Sequence, residues 1–404
     1  MIIGIIGAGA AGMAAALAAS EATDHKIYLL ERQARVGRKL AATGNGRCNL
    51  SNIHASSGGY HGDDPSFSKY AIGQFGPEET LAWFRDLGLF TVTEPSGKVY
   101  PYSDQANSVV DVLRFALNKP NIELIPDFEV LRLRREGTGF LLESKDRKLL
   151  CDKVIVACGG LAGTKLGGTM AGYKLLRSLG HKCTRLRPAL VQVKTGWSGV
   201  SALKGVRANC HAAITVNGIL HRQSTGEIQF TEFGLSGPVI YEISRDACQG
   251  SGEWECVLDF LPEIDEATLK QELFRRRNTG LLAEDLLTGI LHNRLGRVLV
   301  QNGGITLRRT VSELQNRELE DVAALVKHFV VSLTEPLGMD SAQVTAGGIV
   351  TDEFDPATME SRLVPGLYAC GEVLDVDGDC GGYNLQWAWS SGRVAGRSAG
   401  KESK

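Results

Sequence analysis

The sequence predicts an α/β protein whose parallel sheet is interrupted by a β-barrel-like insert and a helical insert. Three observations carry this expectation. A short apolar run, a glycine fingerprint and an Ala-rich stretch open the chain. A β-rich texture begins near Arg187 and gives way to a helical period near residue 265. Strand, glycine and acid then return from about residue 342.

The elements follow in order. Ile2 to Ile6 has the all-apolar composition of a strand buried on both faces. Gly7-Ala8-Gly9-Ala10-Ala11-Gly12 comes next, then the helical stretch Met13 to Ala19. A second strand, Lys26 to Leu30, ends at Glu31. Strand, GxGxxG, helix, strand, acid is the order of a dinucleotide-binding βαβ unit. The first glycine permits a tight turn, the second admits a pyrophosphate to the backbone, and the third lets the helix pack on the strand. N–H groups at the helix start face the phosphates. Glu31, 19 residues after Gly12, is placed to accept a ribose hydroxyl. The uncharged first twenty residues do not read as a secretory signal, because no basic segment precedes the apolar run.

Further along, helices are expected at 12–21, 77–87, 106–118 and 170–180. Strands are expected at 122–125, 128–134, 139–144 and 153–158, with a turn at Gly137 to Gly139. From Arg187, Val191 to Lys194, Ala208 to Val216 and Trp254 to Phe260 read as strands, with an Asn217-Gly218 hairpin signal between apolar runs. Ser236 or Gly237 caps a helix over 238–248, with Pro238 in its first turn. Residues 265–335 are helical in period: Leu269, Leu273 and Phe274 share one face, Leu282, Leu286, Leu287, Ile290 and Leu291 another, and a third helix covers 318–333. Strands at 342–350 and Leu367 to Cys370, then a helix after Gly381-Gly382, complete the chain. The expected division is a discontinuous α/β domain, 1–187 with 338–404, around a barrel-like insert at 188–262 and a helical insert at 263–337.

The chain has 404 residues and a formal net charge of −2, so no bulk electrostatic argument favours nucleic acid or an anionic membrane. No membrane span is expected. Its nine cysteines include no C-x-x-C, which speaks against a zinc ribbon and for reduced thiols in a cytoplasm. The histidines show no metal-ligand spacing, so no metal is expected.

Four backbone devices carry the chemistry. The first is the fingerprint with Glu31. The second is Gly37-Arg38-Lys39-Leu40 followed by Gly44-Asn45-Gly46-Arg47-Cys48, whose cations suit phosphates. The third is Ala157-Cys158-Gly159-Gly160. The fourth is Gly371-Glu372 at a strand end, followed by Gly381-Gly382-Tyr383-Asn384-Leu385. This last device separates FAD from a simple nicotinamide site. FAD is long: its adenosine is held by the first βα turn, and its ribityl and isoalloxazine need a second backbone site. N–H groups near Asn384 and Leu385, at the start of the last helix, suit the flavin edge that gathers negative charge.

With these residues in hand, the chain resembles the bacterial YhiN/BaiN-like, aminoacetone-oxidase-like FAD-dependent oxidoreductases nearly from end to end. The matching strings include Gly7 to Gly12, Gly37-Arg38-Lys39-Leu40, Gly46-Arg47-Cys48-Asn49, Gly234-Leu235-Ser236-Gly237-Pro238, Thr345-Ala346-Gly347-Gly348 and Gly382-Tyr383-Asn384-Leu385-Gln386-Trp387. The resemblance implies non-covalent FAD in a glutathione-reductase-type domain. It implies cofactor contacts at Gly7, Gly9, Ala11, Glu31, Arg38, Lys39, Asn45, Arg47, Val130, Gly159, Gly371, Glu372, Asn384 and Leu385. Ala10, Gly12, Leu40, Gly46, Cys48, Ala157, Gly160 and Gly382 belong to the same loops and are cofactor-site candidates with them. Cys158 stands where many relatives have threonine.

The expected activity is hydride movement between flavin N5 and a small organic substrate, by reduction of an activated C=C or by oxidation of an amine or alcohol. The substrate is expected on the flavin face, between the cofactor domain and the insert. NAD(P)H, if used, binds transiently, because no second nicotinamide fingerprint occurs. A disulfide-reductase mechanism is disfavoured, since loop 44–52 holds only Cys48. Tyr383 and Arg47 are the candidate catalytic residues, with Thr231 and Ser236 as candidates for the opposite wall. An RNA-modifying enzyme and a flavin-binding protein without turnover are the other classes. Oligomeric state is not encoded legibly.

Overall fold

The computed structural model describes residues 1–21 and 25–401. The chain forms two compact units, Met1–Arg187 with Gln343–Lys404, and Pro188–Ala342.

The first unit is built on five parallel strands. In chain order its site-forming elements are β1 (Ile2–Ile6), α1 (Ala10–Ala19), β2 (Lys26–Leu30), β3 (Tyr60–His61), β4 (Ile122–Ile125), β5 (Lys153–Val156), β6 (Leu367–Ala369), β7 (Asp377–Gly378) and α2 (Tyr383–Ala399). The sheet order is β6-β5-β1-β2-β4. β1 is central and nearly all apolar because both its faces are covered. The expected strand at 128–134 begins later, at Arg132. Residues 128–130 instead run beside Glu31, whose carbonyl accepts the Phe128 N–H at 2.8 Å.

Small residues let α1 and α2 approach closely. A Cβ on Gly392 would lie 2.4 Å from the Ala11 carbonyl oxygen, and one on Gly396 would lie 2.2 Å from that of Ala15. This contact lays the second half of the last helix along the first, Gly392 beside Ala11 and Gly396 beside Ala15. A helix at Phe67–Gln74, absent from the expectation, packs in the same core.

The second unit contains a closed barrel of six strands. Its hairpin turns at Asn217 and Gly218, with φ of 50° and 76°, the paired left-handed conformation that such a turn requires. Pro238–Ile243 forms a helix capped by Gly237, shorter than the expected 238–248. Two expectations are corrected. Residues 282–291 do not form an α-helix. Their backbone pairs with 307–311 instead: Ala283 N–H donates to Arg309 and Glu284 N–H to Leu307. Only a short 3-10 turn, Ala283–Asp285, remains, and Leu286 and Leu287 are buried in the unit's core. The helix expected over 318–333 ends at Lys327, and Phe329–Pro336 becomes the strand that closes the barrel. Phe329, Val331 and Leu333 are buried between exposed neighbours, a period of two rather than 3.6. Residues 263–337 therefore contribute to barrel and helices alike, over one shared core.

Candidate functional site

The glycines of the first βα turn divide by what constrains them. Gly7 has φ of 103°, and a Cβ there would lie 2.5 Å from the Ala157 carbonyl oxygen. A Cβ on Gly12 would lie 1.8 Å from the Gly7 carbonyl oxygen. Both are glycines for internal reasons. Gly9 is different: its φ is −81°, open to any residue, and no atom lies within 4 Å of a Cβ placed on it. What its missing side chain leaves is space in front of the first turn of α1. The amides of Ala10, Ala11 and Gly12 there have no carbonyl four residues back within the helix. Glu31 closes the turn, one carboxylate oxygen accepting the Ala8 N–H and the other the Gln33 N–H, each at 2.9 Å. Val130 is buried in the core.

The other devices converge on this turn. Gly37 N–H donates to the Ala8 carbonyl at 3.0 Å and starts the short helix Arg38–Ala42. A Cβ on Gly371 would meet Ala11 Cβ at 2.8 Å, so Gly371 sits directly on the start of α1. Glu372 then joins two segments. It takes Lys39 Nζ at 2.7 Å and the Thr345 N–H at 2.9 Å. The Thr345 hydroxyl accepts the Leu161 and Ala162 N–H groups, each at 2.9 Å. A Cβ on Gly160 would fall 2.4 Å from Glu372 Oε1, so a larger residue there would displace that carboxylate. Gly159, with φ of 70°, faces open space, and Ala157 is buried beneath it.

α2 completes the set. Trp387 Nε1 donates to the Gly371 carbonyl at 3.1 Å, tying α2 to the turn that follows β6. Gly382 caps the helix with φ of 104°, and a Cβ there would strike the Ser51 carbonyl at 2.2 Å. The Asn384 side chain is committed to the protein. It donates to the Gly378 carbonyl and accepts the Gly378 N–H, both at 2.8 Å. Asn384 and Leu385 thus offer backbone amides of the first helical turn, not side chains.

Two expectations change at this level. Lys39 is paired with Glu372 rather than presented as a lone cation. Arg47 is held by Asp104 at 2.5 Å and Glu94 at 3.2 Å, with its guanidinium 4.0 Å over the Tyr100 ring. The hydrogen bond that it donates to Asp104 strengthens its hold on the proton, raising its pKa and removing it from the proton donors. Leu40 is buried in the core. Cys48 is fully buried, and burial pushes its thiol up to about 12, so it is inert. Arg38 stays exposed, as do Gly44, Asn45 and Gly46, three consecutive residues with positive φ. In the second unit, Thr231 bonds the Gly234 backbone and Ser236 bonds the Tyr241 hydroxyl at 3.1 Å.

A group the sequence reading passed over stands beside Tyr383. The Tyr60 ring meets the Tyr383 ring edge-on at 5.9 Å, and His61 Nε2 lies 2.6 Å from Asp379 Oδ1. Lone histidines without motif spacing gave no signal; only the pairing of β3 with β7 brings these residues together.

A dinucleotide carrying a flavin fits this arrangement on two observations. The space over Gly9 faces unpaired amides at the positive end of α1. Asn49 Oδ1 is buried without a partner, 2.9 Å from where a Cβ on Gly382 would lie. An N–H on a flavin ring edge would satisfy that acceptor.

Among the described residues, no helix is long and apolar enough to cross a membrane. No group of three or more His, Cys, Asp or Glu side chains there is placed to hold a metal.

The model of the HI0933-like protein Rossmann domain matches residues 1–398. The chain is 39% identical to a 3-dehydro-bile acid delta(4,6)-reductase of Clostridium scindens, over 98% of each chain. It is 34% identical to a ribosomal RNA dihydrouridine synthase of Escherichia coli K12, over 96% of this chain and 95% of that one. In fold it is similar to a 3-ketosteroid delta1-dehydrogenase from Sterolibacterium denitrificans, solved with 1,4-androstadiene-3,17-dione. The TM-score is 0.53 at 13% identity, covering 98% of this chain and 99% of that one.

Proposed function

This chain belongs to the HI0933-like family and is an FAD-dependent oxidoreductase, and from that premise we propose that it reduces a carbon–carbon double bond conjugated to a carbonyl in a small, steroid-like substrate. The observation that carries the reading is the end-to-end likeness to a bile-acid Δ4,6-reductase. It is supported by the convergence of the fingerprint, Gly371-Glu372 and the start of α2.

Bound FAD supplies a hydride at N5. The protein's part is binding, orientation and proton supply. The first turn of α1, with Gly7, Gly9, Ala10, Ala11 and Gly12, would hold the pyrophosphate, and Arg38 would add charge from the rim. Glu31 keeps lone pairs for a ribose hydroxyl. The exposed loop of Asn45 and Gly46, Asn49 Oδ1 and the amides of Asn384 and Leu385 would hold the flavin ring. Lys39, Glu372 and Gly160 fix the segments that carry these groups, and Arg47 fixes loop 44–48 through Asp104 and Glu94. Tyr383 is the proton donor to the substrate. The inert Cys48 supports setting disulfide chemistry aside, and nine cysteines outside any disulfide support a cytoplasmic protein.

NAD(P)H is the proposed reductant, binding transiently and leaving before the enone enters. Steady-state lines with both substrates varied should run parallel; intersecting lines would contradict this order. Tyr383→Phe should lower turnover at least tenfold with FAD still bound. Unchanged turnover would remove Tyr383 from the mechanism.

A second reading rests on the dihydrouridine synthase relative. The uracil C5=C6 bond is also conjugated to a carbonyl, so the same hydride chemistry applies. The small net charge supports the small-molecule reading over it. Dihydrouridine appearing in ribosomal RNA incubated with the reduced enzyme, together with inertness toward steroid enones, would reverse that preference. Oxidation of an amine or alcohol is the alternative direction. Flavin bleaching by such compounds under anaerobic conditions would reveal it.

A further inference from the structure

We propose that His61 and Asp379 form a proton-return pair that restores the proton on Tyr383 after each turnover. The proposal rests on the reductase reading and names residues that the reading does not supply.

Three observations meet. First, His61 Nε2 and Asp379 Oδ1 are 2.6 Å apart, with both side chains about a quarter exposed at 24% and 27%. The pair therefore reaches water on one side and the protein on the other. Second, the other oxygen of Asp379 and the Tyr383 ring border the same space. Asp379 Oδ2 and Tyr383 Cε1, the ring carbon next to the hydroxyl-bearing one, both lie within 3 Å of where a Cβ on Gly59 would be. Gly59 is thereby kept bare, at φ of 82°, for the two groups to share that space. Third, the backbone is braced to hold them. The Asp379 N–H donates to the Gly59 carbonyl at 2.8 Å, β3 pairs with β7, and Asn384 clamps Gly378.

The chemistry balances. Hydride adds to the β carbon of the enone, and the π pair moves to the carbonyl as an enolate. Tyr383 gives its hydroxyl proton to the α carbon, so the substrate gains two electrons and two hydrogens while the coenzyme, reduced beforehand by NAD(P)H, is oxidised. A phenolate is left beside the Asp379 carboxylate, an unfavourable pair of like charges. The His61 imidazolium passes a proton through Asp379 to the phenolate, then takes one from water. Imidazole is the side chain whose charge changes in the neutral range. Asp377 opposite His61, Asp63 and Asp375 nearby, Tyr60, and Lys98 against Gly381 are the other ionisable groups around the pair.

His61 and Asp379 are positioning residues, so the test reads more than rate. The FAD-loaded protein is compared with His61→Gln and Asp379→Asn. In multiple turnover with an enone, the wild-type rate should fall as pH rises through the histidine titration. His61→Gln should flatten that limb and slow turnover about tenfold with unchanged FAD content. Asp379→Asn should slow turnover to a similar extent with unchanged FAD content, because the path from His61 to Tyr383 is broken. In a Tyr383→Phe background, His61→Gln should have no further effect. A wild-type limb in His61→Gln, or wild-type turnover in Asp379→Asn, would overturn the proposal. Failure of the reductase reading looks different: the reduced wild type would not be reoxidised by any enone, and the proton would have no destination.

Discussion

Gly9 and Gly12 differ by one requirement, and that difference separates folding from binding. A methyl on Gly12 has no room, 1.8 Å from the Gly7 carbonyl, so Gly12→Ala should fail to give a cooperative unfolding transition. A methyl on Gly9 meets no protein atom. Gly9→Ala should therefore melt like the wild type yet bind FAD about tenfold or more weakly, about 1.4 kcal/mol. Retained FAD after desalting, measured beside thermal unfolding, checks both. At this scale the sequence was legible wherever spacing encodes chemistry, as in Gly7 to Gly12 with Glu31. It was not legible where a partner lies far along the chain. Nothing near Arg47 announces Asp104 and Glu94, and nothing near Lys39 announces Glu372. A free cation and a paired one look identical in a string of letters.

Elements were legible when their period was reinforced by local signals. β1, α1 and the Asn217-Gly218 hairpin each had a turn or cap in register with the apolar pattern. The stretch 282–291 had a helical spacing of leucines but formed pairs with 307–311, a tertiary choice that propensity cannot reveal. At 329–336 the alternation was present but was absorbed into the preceding helical run. The contact of α1 with α2 is the element on which the site depends most. Gly392→Leu or Gly396→Leu should force the helices apart, costing about 1–3 kcal/mol in urea unfolding and lowering FAD retention together. A substitution there that leaves both unchanged would show that the close approach is not needed.

On the scale of the whole molecule, one buried histidine links stability to pH. The His181 side chain has no exposed surface. Its ring stacks on Phe354 at 4.6 Å, Nδ1 lies 2.9 Å from Glu353, and Nε2 lies 3.0 Å from Ser361. Burial outweighs Glu353 and lowers its pKa from the usual 6.5. The unfolded chain therefore binds a proton that the folded chain refuses, and this contribution, present above about pH 6.5, is lost on acidification. The melting temperature should fall between pH 7.5 and pH 5.5, and His181→Gln should show a shallower fall. An equal slope in both proteins would place the dependence elsewhere.

The central claim, that separate stretches of this chain hold one FAD for the reduction of a conjugated double bond, meets its most direct test in a single anaerobic turnover. Enzyme reduced by one equivalent of NAD(P)H is mixed with a steroid 4-en-3-one, and flavin absorbance and product are followed together. The oxidised flavin spectrum should return as one equivalent of saturated ketone forms per bound FAD. A flavin that stays reduced while the enone is recovered unchanged would contradict it.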